Sequence, residues 1–476
     1  MGVDFISYDN LRISTYDLKY IKDLSIENQI NDHGSLKLTG IIDEEMKDTY
    51  AYTTGEMTPI EVYFEKEEGH ITLFNGVVVN VKVKVIDEVY TIYVEAKSST
   101  YLMDIYRKKR SFQDVSMTSH QLINKIMSGY GNAKSIISVP NEPIGGFILQ
   151  YEETDWEFLK RFVSKYNDVI INSIQSEHMQ VFIGVPEIEV TPESAIANYT
   201  VYKDINEYND IKNNCMREIS SANFITYKVK MKEILRLGEK FSYIGQMFYI
   251  KGAKYELKNS RLEITYNLRT RNGLIQKQLY NKKVIGISIN GSILDVKRDR
   301  VKVQLEIDNP SDSQSSYWFP YSTVAASPDG GGWYCMPEIG ESVRVYCPTK
   351  NENKVIAISA VGSHNGESSS GNDRMSNPDT KSLQTDSGQE VKFTPTGIVI
   401  ECDGGQAKME LNKDGSINVT GQKNINIACS QNLSLRAENE FTIQAQQSID
   451  ILSEAGSNLV MEDDITFTGT RVHNNG

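Results

Sequence analysis

The chain has 476 residues, of which 39% are hydrophobic and 24% charged, and its formal net charge is −13. At about 150 residues per domain, this length predicts several domains rather than one core. The negative charge disfavours nucleic-acid binding, which draws on basic residues against phosphate, and no apolar run of about 18 residues predicts a transmembrane helix.

The N-terminus and the cysteines indicate the compartment in which the chain is made. Residues 1–14 lack a basic region followed by an apolar one, so we predict no signal peptide and expect synthesis and assembly in the cytoplasm. The five cysteines have no close paired spacing, which argues against a zinc ribbon and against a disulfide framework.

Residues 1–110 predict a first β-barrel domain. Within it, residues 72–96 alternate Val, Ile and Tyr with polar residues, and the break near Asp87 predicts two strands joined by a turn.

In residues 111–175 the spacing of the apolar residues changes to that of a helix. Apolar residues share one helical face in segment 120–127, and Thr154 with Glu157 three residues later forms a capping box, so this segment predicts two helices that pack on a core.

Residues 176–280 return to strand patterns and predict a second β-barrel domain. Residues 281–362 contain several short strand runs, which fit a small closed barrel such as an OB-fold. Residues 363–388 are rich in Ser, Gly, Asn and Asp, a composition typical of a linker or a solvated collar.

Residues 409–467 repeat every eight residues. The first and third positions of the octet are apolar and the second is polar, which is the period-two pattern of a strand with one buried face. We predict that residues 389–476 form a needle whose axis is lined by these residues: Leu411, Ile417, Val419, Ile425, Ile427, Leu433, Leu435, Phe441, Ile443, Ile449, Ile451, Leu459, Ile465 and Phe467.

The octet also predicts the number of chains in the needle. Eight residues supply about one strand and one bend, too few for a single chain to turn the corners of a solenoid. Three chains wound around one axis would share the apolar face and leave no free edge, so we predict a homotrimer. A single-chain β-roll is the alternative, and the calcium-binding glycine repeat of such rolls is absent from the sequence.

The order of these parts resembles the spike proteins of contractile injection machines, and most closely the valine–glycine repeat protein G (VgrG) family. The resemblance covers nearly the full length, and segments 110–127 and 150–173 carry it in the first half. The second segment resembles a Tyr–x–Glu–(Ser/Thr)–Asp motif with one extra residue inserted, its members being Tyr151, Glu153, Thr154 and Asp155, with Phe158 and Leu159 following.

In the predicted barrel, residues 299–308 resemble the family's Gly–Arg–Val–Lys–Val strand, with Asp299 in place of the usual Gly. Residues 317–363 are the most specific stretch. Their aromatic, Gly, Pro and Val positions fall in the family's order, namely Trp318, Trp333, Pro337, Ile339–Gly340–Glu341 and Val343–Val345.

The resemblance implies a mainly β fold with a minor helical part: β-barrel hub domains, an OB-fold barrel and a C-terminal intertwined trimeric β-helix. It implies a structural, membrane-puncturing hub and spike that joins a tail tube and baseplate to a needle. The partners it implies are tail tube and baseplate proteins, a PAAR-like tip protein with effector cargo, and the target cell envelope on injection. The particle would be ejected to the extracellular space or into a target cell.

We predict no catalytic residue and no cofactor. The sequence has no Gly-x-Ser-x-Gly, P-loop or His-Glu-x-x-His motif, and segment 363–388 is too short to hold a glycosidase domain. His473 is the one metal candidate, because three-fold symmetry would bring three imidazoles together for Zn or Fe. Asn474 and Asn475 follow it, so the His-x-His pair of some phage spike tips is missing, and a disordered tail is the default expectation.

Two other function classes fit parts of the sequence. An OB-fold could bind nucleic acid with Trp318 and Trp333 as stacking platforms, but residues 284–362 hold 7 basic and 9 acidic residues. The basic run 106–110 is expected to be a solvated loop or to face an acidic neighbour in the assembly. A secreted trimeric β-helical adhesin or depolymerase is the second alternative, and the missing signal peptide argues against it.

Overall fold

The structure, a computed structural model, describes residues 10–66, 69–193, 196, 198–310, 317–322, 335–359, 377–385, 387–451 and 470–471. Its contacts divide the chain into two compact units, residues 1–362 and residues 363–476. Most of the described secondary structure is β, as the sequence predicts.

The first unit contains four α-helices among its described residues: α1 (Thr49–Thr53), α2 (Ser119–Met127), α3 (Asp155–Val163) and α4 (Ile205–Lys212). The strands described in the same unit are β1 (Leu11–Ile13), β2 (Tyr20–Gln29), β3 (Ser35–Ile41), β4 (Pro59–Glu65), β5 (His70–Ile86), β6 (Val89–Ser98), β7 (Lys108–Phe112), β8 (Lys134–Ile137), β9 (Ile148–Glu153), β10 (Ile170–Asn172), β11 (Gln180–Ile183), β12 (Tyr199–Lys203), β13 (Ile225–Met231), β14 (Lys240–Tyr243), β15 (Gln246–Lys258), β16 (Arg261–Arg269), β17 (Ser288–Lys297), β18 (Arg300–Leu305), β19 (Trp318–Pro320), β20 (Ser342–Tyr346) and β21 (Ile356–Ser359). The second unit adds β22 (Lys381–Gln384), β23 (Gln389–Thr394), β24 (Gly397–Cys402), β25 (Ala407–Asn412) and β26 (Ile417–Gly421).

An 11-stranded sheet runs through the first 275 residues in the order β1-β4-β5-β6-β3-β2-β15-β16-β13-β12, with β14 paired to β15. The pairing of β2 with β15 joins the segments that the sequence analysis assigns to separate barrels, 1–110 and 176–280. The turn near Asp87 is where the sequence predicts it, since β5 and β6 form a hairpin closed at Ile86 and Val89.

The helical segment between these strands packs around its own core. Leu122, Ile123, Phe158 and Phe162 are buried there with at most 1% of their surface exposed. Both helices begin with the capping box of the predicted kind, at Thr118 and at Thr154. Because a capping box pairs N–H groups that a helix start leaves open, it fixes where each helix begins.

The strands β17 to β21 form the predicted small barrel. They pair in the order β19-β18-β17-β20-β21, and a parallel bridge between Tyr321 and Ala357 brings the two ends of that order together. The interior is apolar, with Val303, Phe319 and Val345 at 0% exposure. This closure is the strand arrangement of a five-stranded OB-fold.

The second unit contains an antiparallel meander, β22-β23-β24-β25-β26. The first two octets of the repeat supply β25 and β26. The structure assigns no strand in its described residues 422–451, where the octet pattern also predicts strands. An octet brings only two apolar residues to one face, so the isolated chain has little to pair against there.

Candidate functional site

The segment from Glu153 to Glu157 carries most of the family-like motif. It forms the beginning of α3. Thr154 Oγ1 accepts a hydrogen bond from the backbone N–H of Glu157 at 3.1 Å, and the Glu157 carboxylate accepts one from the backbone N–H of Thr154 at 3.1 Å. Thr154 also donates to the Asp104 carboxylate at 2.5 Å. The threonine in this motif therefore positions the helix against the preceding segment.

Asp155 is the next residue, and its side chain is 0% exposed. Its carboxylate accepts hydrogen bonds from the Lys108 ammonium and the Tyr130 hydroxyl at 2.6 Å each. It also accepts from the Arg110 guanidinium at 2.6 Å and the Gln150 amide at 3.0 Å. Burial acts to raise the pKa of Asp155, but the bonds from Lys108 and Tyr130 and the charge of Arg110 hold it below its usual value.

The basic run 106–110 is neutralised within the chain. Lys108 and Arg110 contact Asp155, and Lys109 lies 2.8 Å from Glu152. Arg107 lies 3.3 Å from Glu157. The acidic residues beside the run therefore belong to the same chain and not to a neighbour in the assembly, and residues 108–110 lie on strand β7 and not in a loop.

A buried charge cluster joins α3 to the OB-type barrel. Arg161 on α3 is 6% exposed and donates two hydrogen bonds of 2.8 Å to the two oxygens of Glu153. Its Nη1 also donates to Glu352, beside β21, at 3.2 Å. Glu352 in turn accepts the backbone N–H of Leu149 at 2.9 Å. One guanidinium thus ties a carboxylate of the helical segment to a carboxylate of the barrel.

Two further contacts hold the same junction. Asp308, just after β18, accepts the backbone N–H of Ser111 at 2.6 Å and its hydroxyl at 2.5 Å. Phe147 and Leu149 have at most 1% of their surface exposed, and they belong to the apolar core of the barrel. Charge-assisted hydrogen bonds and shared apolar packing therefore both connect the helical segment to the barrel.

Trp318 lies at the start of β19 and is only partly buried. The Lys302 ammonium lies 4.8 Å from the centre of its ring, a cation–π contact. The face of the ring is therefore already engaged by a neighbour, which favours an anchoring role over base stacking. Trp333 lies outside the described residues.

The octet ribbon, residues 407–451, presents its apolar side chains to solvent. In the octets after β26 these side chains are 52–77% exposed: Ile425, Ile427, Leu433, Leu435, Phe441, Ile443, Ile449 and Ile451. Ile417 and Val419 on β26 are 63% and 56% exposed, and Leu411 is partly buried. Leu459, Ile465, Phe467 and His473 lie outside the described residues. Every residue from 413 to 451 is exposed, and exposed apolar side chains in this number mark an interaction surface.

The same apolar face begins upstream of the octets, in residues that the sequence analysis did not single out. The register of the meander aligns Leu383 with Val391, Val391 with Ile400, Phe393 with Ile398, Ile400 with Met409, and Met409 with Val419. Phe393 is 52% and Ile400 45% exposed. The sequence signal for these residues is the alternation of apolar and polar residues within 389–402. The octet spacing does not extend to them, because the turn between Thr394 and Gly397 is shorter than the turns between octets.

The opposite face of the meander is charged and paired. Lys392 lies 2.9 Å from Glu390 and 3.5 Å from Glu401, and Lys408 is 2.5 Å from Glu410. The Lys392–Glu401 pair joins β23 to β24, and the other two pairs each lie within one strand. The meander therefore has one charged face, whose paired side chains are 7–31% exposed, and one apolar face that is more exposed, with Phe393 at 52% and Ile400 at 45%.

Metal and membrane features are scarce in the described part of the chain. No group of three or more His, Cys, Asp or Glu side chains there is arranged to hold a metal ion. Among the same residues, no helix is both long enough and apolar enough to cross a membrane.

Family models match two parts of the chain. The model described as the type VI secretion system/phage-baseplate injector OB domain matches residues 290–360, which cover most of the barrel β17–β21. A model described as the Alg8 N-terminal domain matches residues 20–218. None of the curated proteins matches the chain by sequence.

Solved structures with this fold come from secretion machines. A chain of the Francisella PdpA–VgrG complex aligns with a TM-score of 0.54 at 10% identity, covering 88% of this chain and 89% of that one. This chain has a VgrG-like fold. An E. coli component of the type VI secretion system, c3393, aligns with a TM-score of 0.51 at 12% identity, covering 73% of this chain and 98% of that one. That E. coli protein is described as structurally similar to the T4 bacteriophage tail proteins gp27 and gp5.

The VgrG-like fold confirms the main architectural prediction. The mainly β composition and the OB domain stand as the sequence analysis gave them. The likeness to these structures extends to the fold of the chain. Its oligomeric state, its boundaries between hub domains and its axis residues remain predictions.

Proposed function

We propose that this VgrG-like chain is the trimeric hub and spike of a contractile injection machine. In this role residues 1–362 sit at the baseplate end of a tail tube, and residues 389–476 form the membrane-puncturing needle. The tip of the needle takes a PAAR-like protein with its effector cargo. The chain acts mechanically and has no catalytic step of its own.

The main support for this proposal is that the apolar side chains of the octet ribbon have no cover within the chain. Burying one Ile, Leu or Phe side chain contributes about 2 kcal/mol, and the ribbon offers such a side chain at nearly every first and third octet position. Antiparallel strands with one bare apolar face and two edges would aggregate if left alone. Three copies turned inward around one axis cover the apolar face and pair the edges.

The junction at α3 supports the same role. A spike driven through an envelope must pass axial load from the hub to the needle without bending. The bridge from Glu153 through Arg161 to Glu352 and the Ser111–Asp308 contact connect the helical segment to the barrel at two separate places. Both bridges are held inside a single chain, so each copy in a trimer would carry its share of the load.

The mass of the full-length chain in solution tests the proposal. A particle of three times 53.7 kDa supports it, whereas a stable monomer at low micromolar concentration contradicts it. Cargo delivery needs its own test: the purified needle should bind a PAAR-like protein at its C-terminal end, and the same protein should not bind a trimer that lacks residues 452–476.

A further inference from the structure

A pocket opens where the hairpin of β17 and β18 turns, at one end of the OB-type barrel. Its volume is about 610 Å³, and its lining residues are Lys297, Arg298, Asp299, Arg300 and Trp318. The four hairpin residues are exposed, and Trp318 is partly buried. Pockets that hold small organic ligands have volumes of about 300–1,000 Å³, so this one has room for a molecule larger than a simple ion.

The strand register gathers the basic side chains on the outer face of the barrel. Lys297 lies opposite Arg300, and Arg300 lies opposite Pro320, which is two residues from Trp318 on β19. Val301, the next residue on β18, is buried in the core at 0% exposure. Because side chains alternate along a strand, Arg300 and its cross-strand neighbour Lys297 project outward beside Trp318.

The positive charge of this pocket is only partly balanced. Its lining holds three basic residues and one acidic residue, a net charge of +2. The side chains of Lys297 and Arg300 form no ion pair or hydrogen bond with another of the residues that the structure describes. A cluster of cations left unbalanced in a chain of net charge −13 favours an anionic ligand.

Arg298 occupies a turn position that favours glycine. Its φ is 54°, and it is the first of the two residues between the paired ends of the hairpin, Lys297 and Arg300. This left-handed conformation is strained for a residue that carries a long side chain. The chain therefore carries a guanidinium at the mouth of the pocket in spite of a conformational cost, as expected when the side chain has a role beyond the turn.

Trp318 forms the apolar wall of the pocket. The Lys302 ammonium lies 4.8 Å from the centre of its ring, and Lys302 is not among the lining residues. A cation outside the pocket thus covers part of the ring, which disfavours stacking of a nucleobase on it. The part of the ring that faces the pocket can pack against a small carrier such as glycerol or a sugar.

We propose that this pocket binds the phosphate group of a small phosphate ester. The guanidinium groups of Arg298 and Arg300 donate paired hydrogen bonds to the phosphate oxygens, and Lys297 adds a third cation. A phosphate monoester carries a charge of about −1.5 to −2 at pH 7, which matches the net charge of the lining. A soluble ester and a lipid headgroup share this chemistry. The site lies within one chain and does not depend on the number of copies in the particle.

Calorimetric titration of the full-length chain with glycerol phosphate tests the site. We expect saturable binding of glycerol phosphate and none of glycerol. Arg298→Gly and Lys297→Gln should each weaken binding at least about tenfold, the effect of losing one charge-assisted hydrogen bond. Since glycine adopts this φ without strain, Arg298→Gly should unfold at the same or a higher urea concentration than the wild type. Weaker binding by this variant then reports the guanidinium and not a damaged barrel.

Lys354→Gln is the matched control. Lys354 is an exposed residue of the same barrel that does not line the pocket, so its loss removes the same charge and should leave the affinity unchanged. Equal weakening in Lys354→Gln and Lys297→Gln would overturn the site, because it would show that only the overall charge matters. No binding of glycerol phosphate or inorganic phosphate by the wild type would also overturn it.

Two further ligands identify the source of the phosphate. Vesicles of phosphatidylglycerol that sediment the wild type but not Arg298→Gly support the site and identify a lipid headgroup as its ligand. Binding of glycerol phosphate without binding to vesicles supports it with a soluble ester. A short oligothymidylate that binds more tightly than glycerol phosphate, and loses this binding in Trp318→Leu, would overturn the proposal in favour of base stacking. None of these outcomes bears on the trimeric spike, which the mass of the particle tests.

Discussion

Arg161 and Glu153 face each other in parallel, with Nε and Nη2 of the guanidinium each 2.8 Å from one carboxylate oxygen. This bidentate pair lies in the contact between α3 and the OB-type barrel. The remaining nitrogen, Nη1, donates a hydrogen bond to Glu352. Burial raises the pKa of Glu153, although Arg161 counteracts it. The helical segment and the barrel are therefore joined through buried charges, and each of these groups stays ionised because an oppositely charged group lies beside it.

Arg161→Ala should destabilise the first unit by about 4 kcal/mol, because it removes the guanidinium that pairs with two buried carboxylates. Arg161→Lys should recover only part of this loss, since an ammonium cannot form the paired bonds to Glu153. Unfolding in urea followed by tryptophan fluorescence measures both. The control is Arg107→Ala: this residue forms an exposed pair with Glu157, so the cost should stay below about 1 kcal/mol. Equal losses for the two alanine variants would contradict the assigned role.

The Asp155 cluster predicts a dependence on pH. The folded pKa of Asp155 is depressed, so its contribution is fully present above the unfolded pKa of about 4 and is lost as pH falls through the folded pKa. Asp155→Asn should cost about 3 kcal/mol at pH 7, and the gap between wild type and variant should close under acid. Unfolding free energies measured from pH 7 down to about pH 2 test this, because the loss is expected below about pH 4. A gap that is constant with pH would exclude the ionised carboxylate as its source.

Ile427→Asp should prevent assembly of the needle. The substitution places three carboxylates around one dry axis, and each uncompensated charge costs several kcal/mol there. Asn426→Asp is the matched control, because it adds the same charge one residue away at the polar octet position. Light scattering should find the control as a trimer and the Ile427 variant as smaller species or aggregates.

The upstream part of the apolar face predicts that the needle wall begins before the octets. Ile400→Asp should lower the thermal stability of the trimer, because Ile400 aligns with Val391 and Met409 on the apolar face. Val399→Asp adds the same charge to the other face, between Lys392 and Glu410, and should be tolerated far better. If both variants melt alike, the wall starts downstream of β24.

Local patterns in the sequence were sufficient for much of this architecture. The capping box at Thr154 and the octets are short-range signals, so the start of α3 and the apolar ribbon could be predicted. The pairing of β2 with β15 could not, because it joins residues far apart in the chain and no local pattern records it. Leu383, Phe393 and Ile400 were missed because the turn between Thr394 and Gly397 is shorter than the turn between Cys402 and Ala407, which breaks the eight-residue spacing.

The residues of the candidate site also divide into those that a sequence pattern indicates and those that only the fold reveals. The sequence identified Asp155 by resemblance, but its four donors come from β7, β9 and the turn after α2, and only the fold brings these together. Glu352 gave no sequence signal, since a single glutamate in a polar loop is ordinary. Its role depends on Arg161, which is distant in the chain and adjacent in space.

The mass of the full-length chain, measured by sedimentation equilibrium at low micromolar concentration, tests the central claim most directly. The apolar ribbon predicts a single species of three times 53.7 kDa that does not dissociate on dilution. A monomer that stays soluble with its ribbon exposed, or a closed dimer, would contradict the trimeric spike.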